Sequence, residues 1–466
     1  MISLKNPLSI APRHLTVFLI ISFLSIPAVS SVTDVHMVES FIPTADEPLS
    51  VILMIGDGMG FNHVELARLV EVGEGGSLNM QNSDWNASVT TYAADEPVTD
   101  SAAAATAMAT GNKTNYGYVS VSPTLVPLET ILEFAQSLNK STGVVATSRI
   151  THATPACFMT HVVNRNDETE IARQIVDEAD VDVILGGGAG YFTGSQITSM
   201  ASDGYSIVYN RTELLSVSTG KVLGLFADSH MDYEYNRNYA EQPSIAEMTN
   251  KSIELLSQDT DGFFLMVEGS RIDHAAHDGD RVPNALDTIA FDKAVEVALD
   301  YVTSHDNTIL IVTADHETGG MLISSYDLSS ELPGGLSTEV ERRSHRIDRA
   351  LNVTVEWTVT YHTDWLVPLF AVGDAFENMT KDITIDNTHI YYLMKDFFLG
   401  NPLNQTELPP PPTIPTTSTS PTTPTSSSPT NPTSPSGNPF DSSILLVVSI
   451  GAVVLVLVAI ILIKRR

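Results

Sequence analysis

The densest chemistry in the 466-residue sequence lies in two short segments. Glu268-Gly-Ser-Arg-Ile-Asp273-His274-Ala-Ala-His277 places two carboxylates and two imidazoles within ten residues of an apolar run. If that segment turns into a helix, Asp273 and His277 stand at i and i+4, share a face and can hold one ion. Thr313-Ala314-Asp315-His316-Glu317-Thr318-Gly319-Gly320 adds an adjacent oxygen and nitrogen ligand pair. Cys157 is the sole cysteine, which excludes a Cys-based zinc site, an iron–sulfur cluster and an intramolecular disulfide. Any metal must therefore be held by His and carboxylates.

Two further segments carry weaker signals. In Ile55-Gly56-Asp57-Gly58-Met59-Gly60 the glycines permit a tight turn and push one carboxylate forward, although a Gly-Asp-Gly turn also has an ordinary structural role. Asp100-Ser101 opens an alanine-rich run. Asp and Ser are favoured helix caps, and the same geometry sets a hydroxyl in the positive field of a helix N-terminus, where an alkoxide and a phosphoryl group are stabilised. His362 is a lone histidine before an apolar run. Arg165, in His161-Val-Val-Asn-Arg165-Asn-Asp167, reads as a salt-bridged arginine or as a fork for phosphate.

The elements that must position these groups read as an α/β body. Apolar runs at Val51–Ile55, Gly143–Ala146, Val181–Leu185, Phe263–Val267, Thr308–Val312 and Leu366–Val372 predict strands. Amphipathic stretches at Asn62–Val70, Ser101–Thr110, Leu128–Leu138, Glu168–Ala179, Ile245–Leu256 and Asn284–Val302 predict helices. The alternation predicts a doubly wound, mostly parallel sheet with helices on both faces, an α/β/α sandwich. Asp57, then Glu268 with Asp273 and His277, then Asp315 with His316 each follow such a strand. Ligands bind beyond the carboxyl ends of strands in open sheets, so these groups are expected to converge on one crevice.

The chain ends suggest a location. Residues 1–30 carry Lys5, Arg13, an apolar run and small residues before Ser31, the pattern of a secretory signal. Residues 45–403 read as the catalytic or binding body. Residues 404–441 are rich in Pro, Thr and Ser and read as an extended stalk, in which Pro409 to Phe440 would reach up to about 100 Å at 3.1 Å per residue. Residues 442–463 are long and apolar enough for a single transmembrane helix, and the basic tail 464–466 places itself in the cytoplasm. The expectation is a cell-membrane protein with its body outside. With 56 acidic against 24 basic side chains the net charge is −32, which argues against a nucleic-acid partner.

Together the motifs resemble the alkaline phosphatase family, from about Leu49 to Gly373: Gly56–Gly60, Asp100–Ala104, His152-Ala153-Thr154-Pro155, Arg165, Val267–Gly269 with Asp273, His274 and His277, Thr313–His316, and His362. The resemblance implies a phosphomonoesterase with two Zn²⁺ and one Mg²⁺. It implies that Asp273, His277 and His362 hold the first zinc, and Asp57, Asp315 and His316 the second. Asp57, Thr154 and Glu268 would face the third ion. Ser101 would be the nucleophile that becomes a phosphoserine, and Arg165 would clamp two phosphate oxygens.

His152 and His274 stand where the best-known bacterial members carry Asp and Lys, and resemble the animal-type pattern. Both are expected behind the direct ligands, with the third ion held more weakly and partly through water. Between His316 and His362 lie 45 residues, room for a small cap but not for the large crown of animal members, so a homodimer is possible but is not expected to form through such a crown. The competing readings are phosphodiester or sulfate-ester hydrolysis on the same fold, and a non-catalytic surface-binding protein.

Overall fold

The computed structural model describes residues 48–328 and 332–403, which fall in one compact unit. The signal, stalk, membrane-helix and tail assignments lie outside the described residues. Among the described residues no helix is long and apolar enough to cross a membrane.

In chain order the strands are β1 (Ser50–Gly56), β2 (Trp85–Thr90), β3 (Ser141–Arg149), β4 (Val183–Gly187), β5 (Ser206–Val208), β6 (Val222–Leu225), β7 (Phe263–Gly269) and β8 (Thr308–Thr313). They continue with β9 (Glu317–Thr318), β10 (Met321–Tyr326), β11 (Val353–Trp357), β12 (His362–Thr363), β13 (Val367–Val372) and β14 (Ile383–Asp386). Ten of them form one sheet in the order β14-β2-β13-β8-β1-β7-β3-β4-β6-β5. All its pairings are parallel except those of β13, which runs antiparallel to β8 and β2. Every residue of β1, β7 and β8 is buried, as a strand covered on both faces requires, and their sequences are nearly continuous apolar runs for the same reason.

The register levels the strand ends. Ile55 of β1 pairs with Glu268 of β7 and with Thr313 of β8, and Ala146 of β3 pairs with the same Glu268. Asp57, Glu268 and Asp315 therefore leave the sheet within two residues of one line across four strands. Glu268 was expected after its strand; it lies inside β7, which runs on to Gly269 because the parallel ladder with β1 continues that far.

The helices Ser101–Thr110 and Ile245–Leu256 have the predicted bounds, whereas the predicted Asn284–Val302 begins at Arg281. Asp280 explains the earlier start, since its side chain accepts the Val282 N–H and Pro283 suits a first turn. Strand β2 had no continuous apolar run to betray it. Its Trp85, Ala87 and Val89 face the core while Asn86, Ser88 and Thr90 are half-buried, the alternation of a strand with one wetter face.

The cap predicted between His316 and His362 is the antiparallel pair β10–β11 and the helix Glu339–Leu351 between them. Two buried arginines bind it to the body. Arg346 forks onto the Glu71 carboxylate at 2.6 and 2.7 Å, and Arg349 donates to the carbonyls of Leu69 and Val70 at 2.7 and 2.6 Å, satisfying the last turn of the helix Phe61–Glu71.

Candidate active site

Each strand end delivers its group by a different local device. After β1 the chain turns through Gly58, whose φ is +69°. A Cβ there would lie 2.7 Å from Thr318 Oγ1 and 2.9 Å from Asp273 Oδ1, so the turn demands glycine twice over. Gly58 N–H donates to Asp315 Oδ1 at 3.0 Å, and the His316 N–H donates to the same oxygen at 2.9 Å. That leaves Asp315 Oδ2 for another partner. The helix Arg271–His277 sets Asp273 and His277 on one face as predicted, with Nε2 3.4 Å from Oδ1. His362, a lone histidine in the sequence, belongs to β12, whose antiparallel pairing with β9 puts it opposite Thr318. Its ring stacks on that of His316, centroids 3.5 Å apart.

The proton positions of three histidines follow from what their Nδ1 atoms face. His277 Nδ1 lies 2.8 Å from the Thr360 carbonyl, and His362 Nδ1 lies 2.8 Å from the Thr99 carbonyl. A carbonyl only accepts, so in the neutral rings both protons sit on Nδ1 and both Nε2 atoms carry lone pairs. Those two Nε2 atoms are 3.2 Å apart. Thr318 Oγ1 donates to Asp273 Oδ1 at 2.6 Å and so accepts from His316 Nδ1 at 3.2 Å, which turns the His316 Nε2 lone pair toward Asp315 Oδ2 at 3.3 Å and Asp57 Oδ1 at 3.6 Å. Ser101 Oγ is 3.3 Å from the same Nε2. Lone pairs facing lone pairs and carboxylates are repulsive in a dry interior unless a cation lies between them.

The ligand atoms gather into three overlapping groups, each within 4.8 Å: Asp273 with His316 and His362; Asp57 with Asp315 and His316; Asp57 with His152 and Glu268. His277 adjoins the first through its contacts with Asp273 and His362. Thr154, in the first turn of the helix Ala153–Met159, has a buried Oγ1 without a partner. Both oxygens of Asp57, Asp315 Oδ2, Glu268 Oε1 and His152 Nδ1 are likewise buried and unpartnered. So many orphaned anionic oxygens, with the Nε2 lone pairs of His277, His316 and His362 beside them, fit divalent cations and fit nothing neutral. Burial pushes Asp57 well above the ordinary carboxylate range, with Asp315 and Asp273 adding repulsion. It likewise raises Asp315 to about 8 and Glu268 to about 7. Burial drives His316 and His152 well below the usual histidine value, so both are neutral. Burial alone would also raise Asp273, but His362 and His277 hold it below the ordinary value.

Arg165 enters from the other wall. Its Nη1 donates to Asp100 Oδ2 at 2.8 Å, while Asp100 Oδ1 caps the Ser101–Thr110 helix by accepting from Ala103 N–H at 3.1 Å and takes Gly117 N–H at 3.0 Å. One carboxylate thus aligns both the serine and the arginine. Arg165 Nη2 lies 3.4 Å from His152 Nε2; guanidinium only donates, so that nitrogen accepts and Nδ1 keeps the proton. His274 Nδ1 accepts from Arg271 at 2.8 Å, and burial holds the ring near a pKa of about 4. Its ring packs against His230, 4.4 Å between centroids, and His152, 5.7 Å.

The sequence reading missed Asp100 as the brace of Arg165, Thr318 as the orienter of His316, and His230. The first two sat inside segments already singled out, but their roles are set by contacts with residues 45 and 65 positions away. No local signal marks His230.

Histidines and carboxylates gathered at the carboxyl ends of a mostly parallel sheet, around a buried serine at a helix N-terminus, define a metal-binding α/β hydrolase site. The sequence profile of the family described as Alkaline phosphatase matches residues 49–337. Alkaline phosphatase 3 of Bacillus subtilis is 38% identical over 408 residues, covering 74% of this chain and 88% of the relative. The crystal structure of a cold-active alkaline phosphatase from Shewanella sp. superposes with a TM-score of 0.66 at 32% identity, covering 75% of this chain and 100% of that one. A His-to-Asp variant of alkaline phosphatase from the Antarctic bacterium TAB5, solved with Mg bound in its M3 site, has a TM-score of 0.64 at 30% identity, covering 76% and 99%. The chain belongs to the alkaline phosphatase family and is a phosphatase.

Stripping the metals should give the site a pH signature of its own. The metal-free fold holds protons on Glu268, Asp315 and Asp57 that the unfolded chain, with carboxylates near 4, has already released. Folded protein binding more protons than unfolded means stability falls as pH rises through 7 and 8. Histidines kept neutral in the fold give the opposite slope, but only below about 6.5. The melting temperature of chelator-treated protein should therefore drop between pH 6.5 and 8, and zinc with magnesium should abolish the drop. A flat or rising profile without metal would contradict it.

Proposed function

We propose that the protein hydrolyses phosphate monoesters through a phosphoserine at Ser101, with two zinc ions and one magnesium ion, and that it does so outside the cell. The observation that carries this is Ser101 Oγ lying 3.3 Å from the unprotonated His316 Nε2, on the locus shared by Asp57 and Asp315. Asp273, His277 and His362 would hold the first zinc; Asp57, Asp315 and His316 the second; Asp57, Thr154 and Glu268 would face magnesium. Divalent ions there would supply the positive charge that lowers the pKa of the serine hydroxyl and offsets charge on the phosphoryl oxygens.

The chain's own residues divide the work. Ser101 attacks phosphorus in line, the P–O bond to the alcohol breaks, and a phosphoserine remains; water then cleaves that ester and restores the hydroxyl. Arg165, held by Asp100 on one side, offers its other edge to two phosphate oxygens. The N-terminus of the helix Ser101–Thr110 adds its field at the same point. Charge balance favours a monoester. Arg165 and Asp100 cancel, and with Ser101 still protonated three divalent ions against Asp57, Glu268, Asp273 and Asp315 would leave two positive charges, matching a phosphate dianion rather than a diester monoanion.

Ser101→Ala should lower kcat by about four orders of magnitude while leaving the fold intact. The intact enzyme should cleave an aryl phosphate monoester much faster than the matching diester, in a chelator-sensitive way. Preferred diester cleavage, or an active alanine variant, would refute the assignment.

For the third ion, His152 has its Nε2 taken by Arg165 and presents Nδ1–H, a donor rather than a ligand. This supports magnesium held in part through a water that accepts that proton. Dialysis should remove magnesium before zinc, and His152→Asp should retain it; metal analysis of both proteins decides the point, and stoichiometric magnesium in dialysed wild type would refute it.

Location rests on sequence alone: residues 1–30, the run 442–463 and the tail Lys464-Arg465-Arg466 support an anchored body facing outward. Full-length protein should stay with membranes through carbonate extraction, and deletion of 442–466 should release it. Release of the full-length protein would rule out the anchor.

A further inference from the structure

The mouth of the site contains groups that a phosphate dianion does not require. The cavity over Ser101 has a volume of about 720 Å³, and its lining includes Asp95, Glu96, Tyr116 and Tyr361. Asp95 and Glu96 are exposed and, among the described residues, take part in no ion pair. Two negative charges there repel an incoming phosphate, in a chain whose net charge is already −32.

The backbone of both tyrosines is tied to segments that build the site. Tyr116 donates its N–H to Asp95 Oδ1 at 2.9 Å; the next residue, Gly117, donates to Asp100 and accepts from the Arg165 N–H at 2.9 Å. Tyr361 stands between Thr360, whose carbonyl orients His277, and His362, and its own carbonyl accepts from Gly319 N–H at 3.0 Å. Held in this way, the two residues remain 53% and 63% exposed.

Aromatic faces and uncompensated carboxylates share one complementary ligand, a cation. We propose that the preferred substrates are phosphate monoesters of alcohols bearing an ammonium group a few bonds from the ester oxygen. Asp95, Glu96, Tyr116 and Tyr361 take the cation while the phosphate engages Ser101 and Arg165. The proposal rests on the phosphomonoesterase reading and adds to it the class of alcohol.

The test compares kcat/KM of full-length, metal-loaded protein on choline phosphate and on 3,3-dimethylbutyl phosphate, its uncharged isostere. The expected preference is about tenfold at low ionic strength, shrinking as salt screens the carboxylates. Asp95→Asn with Glu96→Gln, and separately Tyr361→Leu, should each cut the ratio about threefold or more. Equal rates on the two esters overturn the inference, as does a ratio that neither variant moves. Failure to hydrolyse these or an aryl monoester overturns the phosphomonoesterase reading, and this inference with it.

Discussion

Four carboxylates and the lone pairs of three imidazoles share one water-poor space at the end of the sheet, and their mutual repulsion is the constraint on which the rest of the site is built. Such a cluster is costly in any protein without cations. It persists because five of its seven members are held from behind. Thr318 ties Asp273 to His316, the Gly58 and His316 N–H groups hold one oxygen of Asp315, and two backbone carbonyls fix His277 and His362. These outer contacts decide which nitrogen carries each proton, and so which atoms are left to bind metal. The ion-binding capacity is a property of the scaffold before any ion arrives.

Asp100 plays the same part for the substrate. A carboxylate beside Ser101 would repel phosphate if it faced the cavity, yet its oxygens are taken by Ala103, Gly117 and Arg165. Its charge is consumed in orienting an arginine and a helix, and what reaches the substrate is the far edge of the guanidinium and the helix end. The wall formed by Ser101 and Arg165 is therefore neutral in sum and directional in effect, which under the proposed function would leave bound metals to set the net charge.

Much of this was legible in the sequence because the central strands are buried on both faces. Such strands must be apolar without interruption, so β1, β7 and β8 could be read directly, and with them the position of every group that follows. The Asp273 and His277 pair was legible for a related reason, since helical spacing is local. Strand β2 was not legible, because its alternating Asn, Ser and Thr positions resemble a polar loop until β13 supplies a partner. His362 likewise looked isolated, for its pairing with β9 joins segments that the whole cap separates. Asp100 and Thr318 show the general limit: sequence marks where a polar residue stands, and only tertiary contact decides whether it acts on the substrate or on its neighbours.

The same distinction separates the floor of the site from its mouth. Groups on the floor are buried, so their partners are fixed by the requirement that no polar atom be left unsatisfied, and their chemistry can be derived from geometry. At the mouth, solvent satisfies Asp95, Glu96 and the tyrosine hydroxyls whether or not a ligand is present, so burial imposes no such demand. What singles these residues out is the backbone. Tyr116 and Tyr361 are each one residue along the chain from Gly117 or His362, whose contacts belong to the site, so their backbone is placed at its mouth while the side chains stay exposed. If the floor recognises only phosphate, as proposed, a preference among alcohols can come only from such positions, open enough to change without disturbing the ligand cluster.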